Sequence, residues 1–179
     1  MSVYVAMLRA IGPVTHRQMS MADLRAGCAA AGFTDVTTYV NTGNLVFSAA
    51  GTAASVRRAV ESIVAGHGLA GLCDVFVRTP RQLAAVVSQN PFPDATAERP
   101  QRVGVCFFQR VPDWPAWVAN PAGPERIAAL GSVLVVDYGP GEAASRLQIE
   151  RDTRARMTQR NWNTVVALTE RSLRLGRTA

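Results

Sequence analysis

The sequence predicts an α+β protein of two subdomains. The first is a ferredoxin-like βαββαβ unit, an antiparallel sheet with its helices on one face, and the second is a smaller α+β unit packed against it. Three observations carry this expectation. Over residues 2–78 the apolar periodicity alternates as strand, helix, strand, strand, helix, strand. The stretch Tyr39-Val40-Asn41-Thr42-Gly43-Asn44-Leu45-Val46-Phe47 reads as two strands joined by a polar turn, with Gly43 free to take positive φ. Finally, 179 residues at 48% hydrophobic content suffice for two modest cores. The expected division is a ferredoxin-like subdomain over 1–78 and a second α+β subdomain with a C-terminal helix over 79–179.

Val3 to Leu8 is apolar on both alternations, so this strand expects cover on both faces, and the second half of the chain is the natural source. Ser20 with Asp23 forms a capping box opening a helix whose stripe is Leu24, Cys28 and Ala31, and Gly32-Phe33 closes it as a Schellman ending. After the hairpin, Val56, Val60, Ile63 and Val64 line one face of a second helix that Gly66 and Gly68 end. Leu72 to Val77 is the fourth strand. Thr79-Pro80-Arg81-Gln82 opens a third helix with a threonine cap and proline at its first position, and Asn90-Pro91-Phe92-Pro93 breaks it into a loop running to Pro100.

Gln101 to Gln109 is again a strand apolar on both faces, followed by an irregular proline-rich run with Trp114 and Trp117. Gly131-Ser132 between two apolar runs predicts a two-residue hairpin, with a helix followed by a strand as the competing reading. From Glu142 to Arg156 the i,i+4 charge pairs predict a solvated helix. Thr158 is the expected cap of the last helix, with Met157 and Trp162 as its hydrophobic staple.

Charge narrows the function classes. The net charge is +6, and all nineteen basic residues are arginine. Codon bias explains an arginine-only set, and so does a need for bidentate phosphate or carboxylate contacts. Lysine chemistry is excluded. The longest apolar runs fall short of the roughly 20 residues of a membrane helix, and a strand pattern starting at residue 2 does not read as a secretory signal, so a cytoplasmic location without membrane contact is expected. Cys28, Cys73 and Cys106 are odd in number and sit in apolar patterns, which predicts buried thiols and no disulfide or zinc framework. His16 and His67 have no carboxylate at a triad-like or metal-like spacing, and no phosphate-binding or nucleophile-elbow motif occurs, so neither a metal nor a cofactor is indicated.

Four segments together suggest a family: Tyr39-x-x-Thr42-Gly43-Asn44-x-Val46-Phe47, Tyr4-Val5-Ala6-x-Leu8-Arg9, Met21-Ala22-Asp23-Leu24-Arg25, and Arg160-Asn161-Trp162-Asn163-Thr164-Val165. In this order and spacing the chain resembles the bacterial family known as domain of unknown function 1697. The resemblance implies a pair of α+β subdomains, the first ferredoxin-like, and carries no activity with it. Where the family usually reads Arg-Gly-Ile-Asn followed by Val-Gly-Gly, this chain has Arg9-Ala10-Ile11-Gly12-Pro13-Val14.

The candidate ligand-binding residues are Arg9, Asn41, Thr42, Gly43, Asn44, Arg160, Asn161 and Asn163. The turn Asn41 to Asn44 offers backbone donors, amides and a hydroxyl that suit an anion or a base edge, although turn chemistry alone accounts for the same residues. Arg160 to Asn163 is expected in the first turn of the final helix, where free N–H groups favour negative charge; the plain alternative is a core Trp162 and a paired Arg160. If the two segments meet, their donors converge. The functional expectations are a sequence-indifferent binding module for nucleic acid or another polyanion, then an enzyme or binder of a small anionic, phosphorylated ligand at a cleft between subdomains, then a structural or partner-binding protein. Catalytic residues and the oligomeric state are left open by the sequence.

Overall fold

The computed structural model describes residues 1–178. The chain divides into two compact units, Met1–Leu83 together with the residues from Leu168 onward, and Ala84–Ala167. It is an α+β protein built on two four-stranded antiparallel sheets.

The first unit contains β1 (Ser2–Leu8), α1 (Met21–Ala30), β2 (Thr34–Thr38), β3 (Asn44–Ala49), α2 (Ala53–Gly66) and β4 (Val75–Arg78). The strands lie in the order β2-β3-β1-β4, so the first and third strands are central. Val5 pairs with Val46 on one side and Arg78 on the other, both antiparallel. Tyr4, Ala6 and Leu8 share a core with Leu45 and Phe47 of β3, Leu24 and Cys28 of α1, and Val56, Val60 and Val64 of α2, which puts both helices on one face of the sheet. The opposite alternation, Val5 and Met7 with Val46 and Phe76, is equally buried. Both faces of β1 are therefore closed to water, as its two-sided apolar pattern requires.

Local signals explain the element ends. The Ser20 hydroxyl accepts the Asp23 N–H while the Asp23 carboxylate accepts the Ser20 N–H. At the other end Phe33 N–H reaches Cys28 O at 3.1 Å and Gly32 N–H reaches Ala29 O at 3.0 Å, the two bonds of a Schellman ending with Gly32 at φ 84°. Phe33 then stacks on Phe47 at 4.7 Å. The fourth strand starts later than expected, at Val75, because Leu72 and Cys73 both donate to Leu69 O in a turn and Leu72 is exposed. Within β3 the Ser48 hydroxyl is buried and has no hydrogen-bond partner. Ser48→Ala is therefore expected to stabilise the protein by about 1 kcal/mol, measured as a raised denaturant midpoint; an unchanged or lowered midpoint would show that the hydroxyl costs nothing.

In the second unit, α3 (Pro80–Ser88) leads in from the first, followed by α4 (Pro93–Glu98), β5 (Val103–Phe108), β6 (Arg126–Leu130), β7 (Val133–Asp137), α5 (Ile149–Thr153) and β8 (Met157–Asn161). The sheet order is β6-β7-β5-β8. The third helix opens with the expected box, Thr79 and Gln82 bonding each other's N–H groups. The hairpin turns at Gly131, φ 59°, with Leu130 opposite Val133.

Three expectations are corrected here. The run to Pro100 is not a plain loop, because Pro93 starts a short helix and Asn90 braces it, accepting from Phe92 N–H and donating to Thr96 Oγ1. Glu142 to Arg156 is not one helix: a 3-10 turn at Glu142–Ala144 and the five-residue α5 are all that form. Glu150 accepts from the Met157 N–H, and Arg154 ends the helix at φ 51°. Finally, Thr158 does not cap the last helix, nor do Met157 and Trp162 staple it. Met157–Asn161 is β8, paired with the free edge of β5 from Phe108↔Met157 to Gly104↔Asn161. Pairing with that edge overrides the local capping signal. The last helix, α6 (Trp162–Thr178), is capped by Asn161, whose Oδ1 accepts the Thr164 N–H at 2.9 Å.

Core packing in this unit joins Cys106, Phe108, Leu134, Val136, Tyr138 and Ile149. One polar cluster borders this core: Gln159 Oε1 accepts from the Tyr138 hydroxyl at 2.7 Å and from the Cys106 thiol at 3.2 Å. Asp137 is buried at the end of β7, where Arg99 and Arg126 converge on it.

Candidate functional site

In the first unit the hairpin turn is tied to the loop after β1. Leu8 N–H donates to Gly43 O at 2.8 Å, and the His16 ring donates from Nε2 to Asn41 O at 2.8 Å. Gly43 is buried at φ 74°, and a side chain there would strike Leu8 and Ile11. Asn44 is fully buried in β3, and its amide donates to Tyr39 O at 3.1 Å and Thr42 Oγ1 at 3.0 Å. These bonds assign the Gly43 and Asn44 positions to holding the turn. The Asn41 and Thr42 side chains are exposed. Arg9 is half-buried beside Asp74, 3.8 Å from its carboxylate, and its own N–H donates to Asp74 O at 2.8 Å. Non-glycine residues take positive φ both in the loop after β1 and in the hairpin turn, Ala10 at 62° and Val40 at 49°. For a β-branched side chain this is a costly conformation.

Beside the hairpin lies a feature that sequence reading missed. The guanidinium of Arg171, on the part of α6 belonging to the first unit, sits 4.7 Å over the Tyr39 ring. Arg174 and Arg177 follow at three-residue spacing, and all three are exposed. Tyr39 and Arg171 are 132 positions apart, so no local pattern could have linked them.

Arg160, Asn161 and Asn163 belong to the second unit and the hairpin to the first. Arg160 belongs to β8 and not to a helical turn. Its Nη1 donates to Thr158 Oγ1 and Gln159 O, each at 2.8 Å, and burial pushes its pKa down to about 10. Asn161 is consumed as the cap of α6, and Asn163 is exposed in the first turn. The helix N-terminus therefore already has its side-chain acceptor.

The second unit also holds a concave pocket of about 500 Å³. Its walls include Trp117, Pro124 and Leu147, with Glu125, Arg146 and Asp152 as the ionisable groups. The indole N–H of Trp117 donates to Asp152 Oδ2 at 3.1 Å, and the Ser145 hydroxyl donates to Glu125 Oε1. The sequence places Trp117 only in an irregular proline-rich run, and no local pattern joins it to Glu125 or Asp152. All three cysteines are free and buried, and burial pushes the Cys28 thiol up to about 11. Among the described residues, no three His, Cys, Asp or Glu side chains gather as a metal site, and no helix is long and apolar enough to cross a membrane.

Fold and site together define a two-unit α+β protein with a polar hairpin on one sheet and a mixed pocket in the other unit. The chain belongs to the family described as Protein of unknown function (DUF1697), whose model matches residues 1–134. The matched part carries Arg9 and the whole hairpin; Arg146, Asp152 and Arg160 lie beyond it. Among solved structures it is similar to the conserved bacterial protein SP0830 from Streptococcus pneumoniae, at 18% identity and a TM-score of 0.69, covering 96% of this chain and 98% of that one. At that identity the likeness concerns the fold. No curated protein matches the chain.

Proposed function

We propose that the hairpin end of the first unit binds nucleic acid or another polyanion through its phosphates or equivalent anionic groups, without regard to sequence. The observation that carries this reading is the Arg171 guanidinium over Tyr39, continued along α6 by the exposed Arg174 and Arg177. A row of guanidinium groups beginning at an aromatic ring offers phosphate contacts next to a stacking surface. Asn41 and Thr42, two and three positions after Tyr39 in the turn, are exposed as well. Base readout on the sheet is disfavoured, since Tyr4, Phe33, Phe47 and Phe76 are all buried. The strand order β2-β3-β1-β4 with both helices on one face supports reading this unit as ferredoxin-like, and three free buried cysteines support a reducing, cytoplasmic setting.

The test is fluorescence anisotropy with oligo-dT, oligo-U and a mixed-sequence strand across a salt series. Each phosphate contact contributes about 0.7 to the slope of log affinity against log salt on single strands. The Arg171→Ala, Arg174→Ala, Arg177→Ala triple variant is expected to lower that slope by about 2 and to weaken all three strands alike. The reading fails if the triple variant binds as the parent does, or if a sequence preference persists at high salt.

A further inference from the structure

The pocket of the second unit points to a different ligand chemistry. Glu125 is 6% exposed yet lines the cavity, and among the described residues Ser145 supplies the one hydrogen bond to its carboxylate. Its second oxygen, Oε2, lies so close over Gly123 that a Cβ at that position would overlap it at 2.1 Å. A glycine at 123 thus makes room for a carboxylate folded back along the wall. The other buried carboxylate of this unit, Asp137, has two arginines bonded to it; Glu125 has none among the described residues. Carboxylates are taken out of water at a cost unless a positive or hydrogen-bonding partner meets them. A pocket wall that buries one with a single hydroxyl donor leaves the second oxygen for a donor from outside.

The rest of the lining agrees. Asp152 adds a second carboxylate, held by the indole N–H of Trp117 and by the exposed Arg151 at 2.8 Å. Pro124 and Leu147 provide apolar wall, and Trp117 provides an aromatic surface fixed in place by its own hydrogen bond. Arg146 is the one cationic group of the lining and is exposed. An anion in this cavity would face two carboxylates. A small organic cation would meet a charge-assisted acceptor and an aromatic ring, the combination by which ammonium groups are recognised. We propose that this pocket is a binding site for a small amine, with Glu125 Oε2 accepting from the ammonium and Trp117 packing against its carbon skeleton.

The proposal is tested on the full chain, labelled with nitrogen-15 and titrated with benzylamine, putrescine and choline, with acetate and inorganic phosphate as anionic counterparts. The reporter is the indole N–H resonance of Trp117, assigned with Trp117→Phe. At least one amine is expected to shift it saturably, and neither anion should. Glu125→Gln, with its fold checked by spectral dispersion, is expected to weaken amine binding about tenfold or more. Arg146→Ala alters an exposed side chain and should tighten amine binding about threefold at low salt, which keeps the test decisive if the glutamine variant does not fold. Absence of saturation by every amine, equal saturation by acetate or phosphate, or an Arg146→Ala protein with unchanged amine affinity would each overturn the proposal. None of these readouts depends on oligonucleotide binding at the hairpin.

Discussion

Asp137→Ala is expected to cost about 2–3 kcal/mol of folding stability, because it removes a buried carboxylate that collects charge-assisted hydrogen bonds from two partly exposed guanidinium groups. The Asp137 side chain is 3% exposed. It accepts from Arg99 Nη2 at 2.8 Å, Arg126 Nε at 2.9 Å, Arg99 Nε at 3.3 Å and the Gly139 N–H at 3.1 Å. Arg126 also reaches Asp94 at 2.8 Å and stacks its guanidinium 4.9 Å over Phe92. One carboxylate thus fastens the 92–99 segment to both strands of the β6–β7 hairpin. Burial by itself would raise the pKa of Asp137, but the bonds from Arg99, Gly139 and Arg126 outweigh it and hold the carboxyl below its ordinary 3.8. A carboxylate with a lowered folded-state pKa binds fewer protons in the folded than in the unfolded chain. Its contribution is therefore complete above the unfolded value and lost as pH falls through the folded one. Urea midpoints at pH 7 measure the loss. A pH series below about 4 should show the parent losing stability more steeply than Asp137→Asn, which has no proton to take up there. A loss under about 1 kcal/mol for the alanine variant would mean that the cluster is held by its apolar neighbours and not by the charge.

How much of this was legible depends on how local each signal is. The capping boxes at Ser20 and Thr79, the Schellman ending at Gly32, the stripe of α2 and the turn at Gly131 are decided by residues a few positions apart, and each formed as read. The two-sided pattern of Val3 to Leu8 correctly required a strand buried on both faces. Reading failed where a distant partner changed the outcome. Met157 to Asn161 carries a plausible helix start, yet β5 offers a strand edge some fifty residues earlier, and pairing with it moved the cap to Asn161. Glu150 has Arg154 at helical spacing but bonds the Met157 backbone instead. The sites follow the same rule. The hairpin stood out because its turn residues are contiguous, whereas Tyr39 with Arg171, and Trp117 with Asp152 and Glu125, are assembled by the fold from separate segments.

Gly43→Val is expected to cost about 3 kcal/mol, more than any change at the exposed residues of the same turn. Two independent effects act at this position. At φ 74° a β-branched residue is forced into the left-handed region, which costs about 1–2 kcal/mol. A Cβ would also lie 2.7 Å from Ile11 Cγ1 and 2.8 Å from Leu8 Cβ. Ile11 can rotate away at the cost of about 1–3 kcal/mol of repacking, but Leu8 Cβ is fixed to the backbone of β1 and cannot. Moving the turn to relieve it would stretch the 2.8 Å bond from Leu8 N–H to Gly43 O and disturb the Asn44 amide that holds Tyr39 O. Asn41→Ala provides the contrast: its side chain is exposed, and its carbonyl, which His16 uses, is retained, so its stability should stay within about 0.5 kcal/mol of the parent. Denaturant midpoints of the two variants separate a turn built on conformation from one whose residues are interchangeable. Equal midpoints would show that the contact between turn and loop is not needed to hold the hairpin. In that case Tyr39 and Arg171 would have to be positioned by α6 alone.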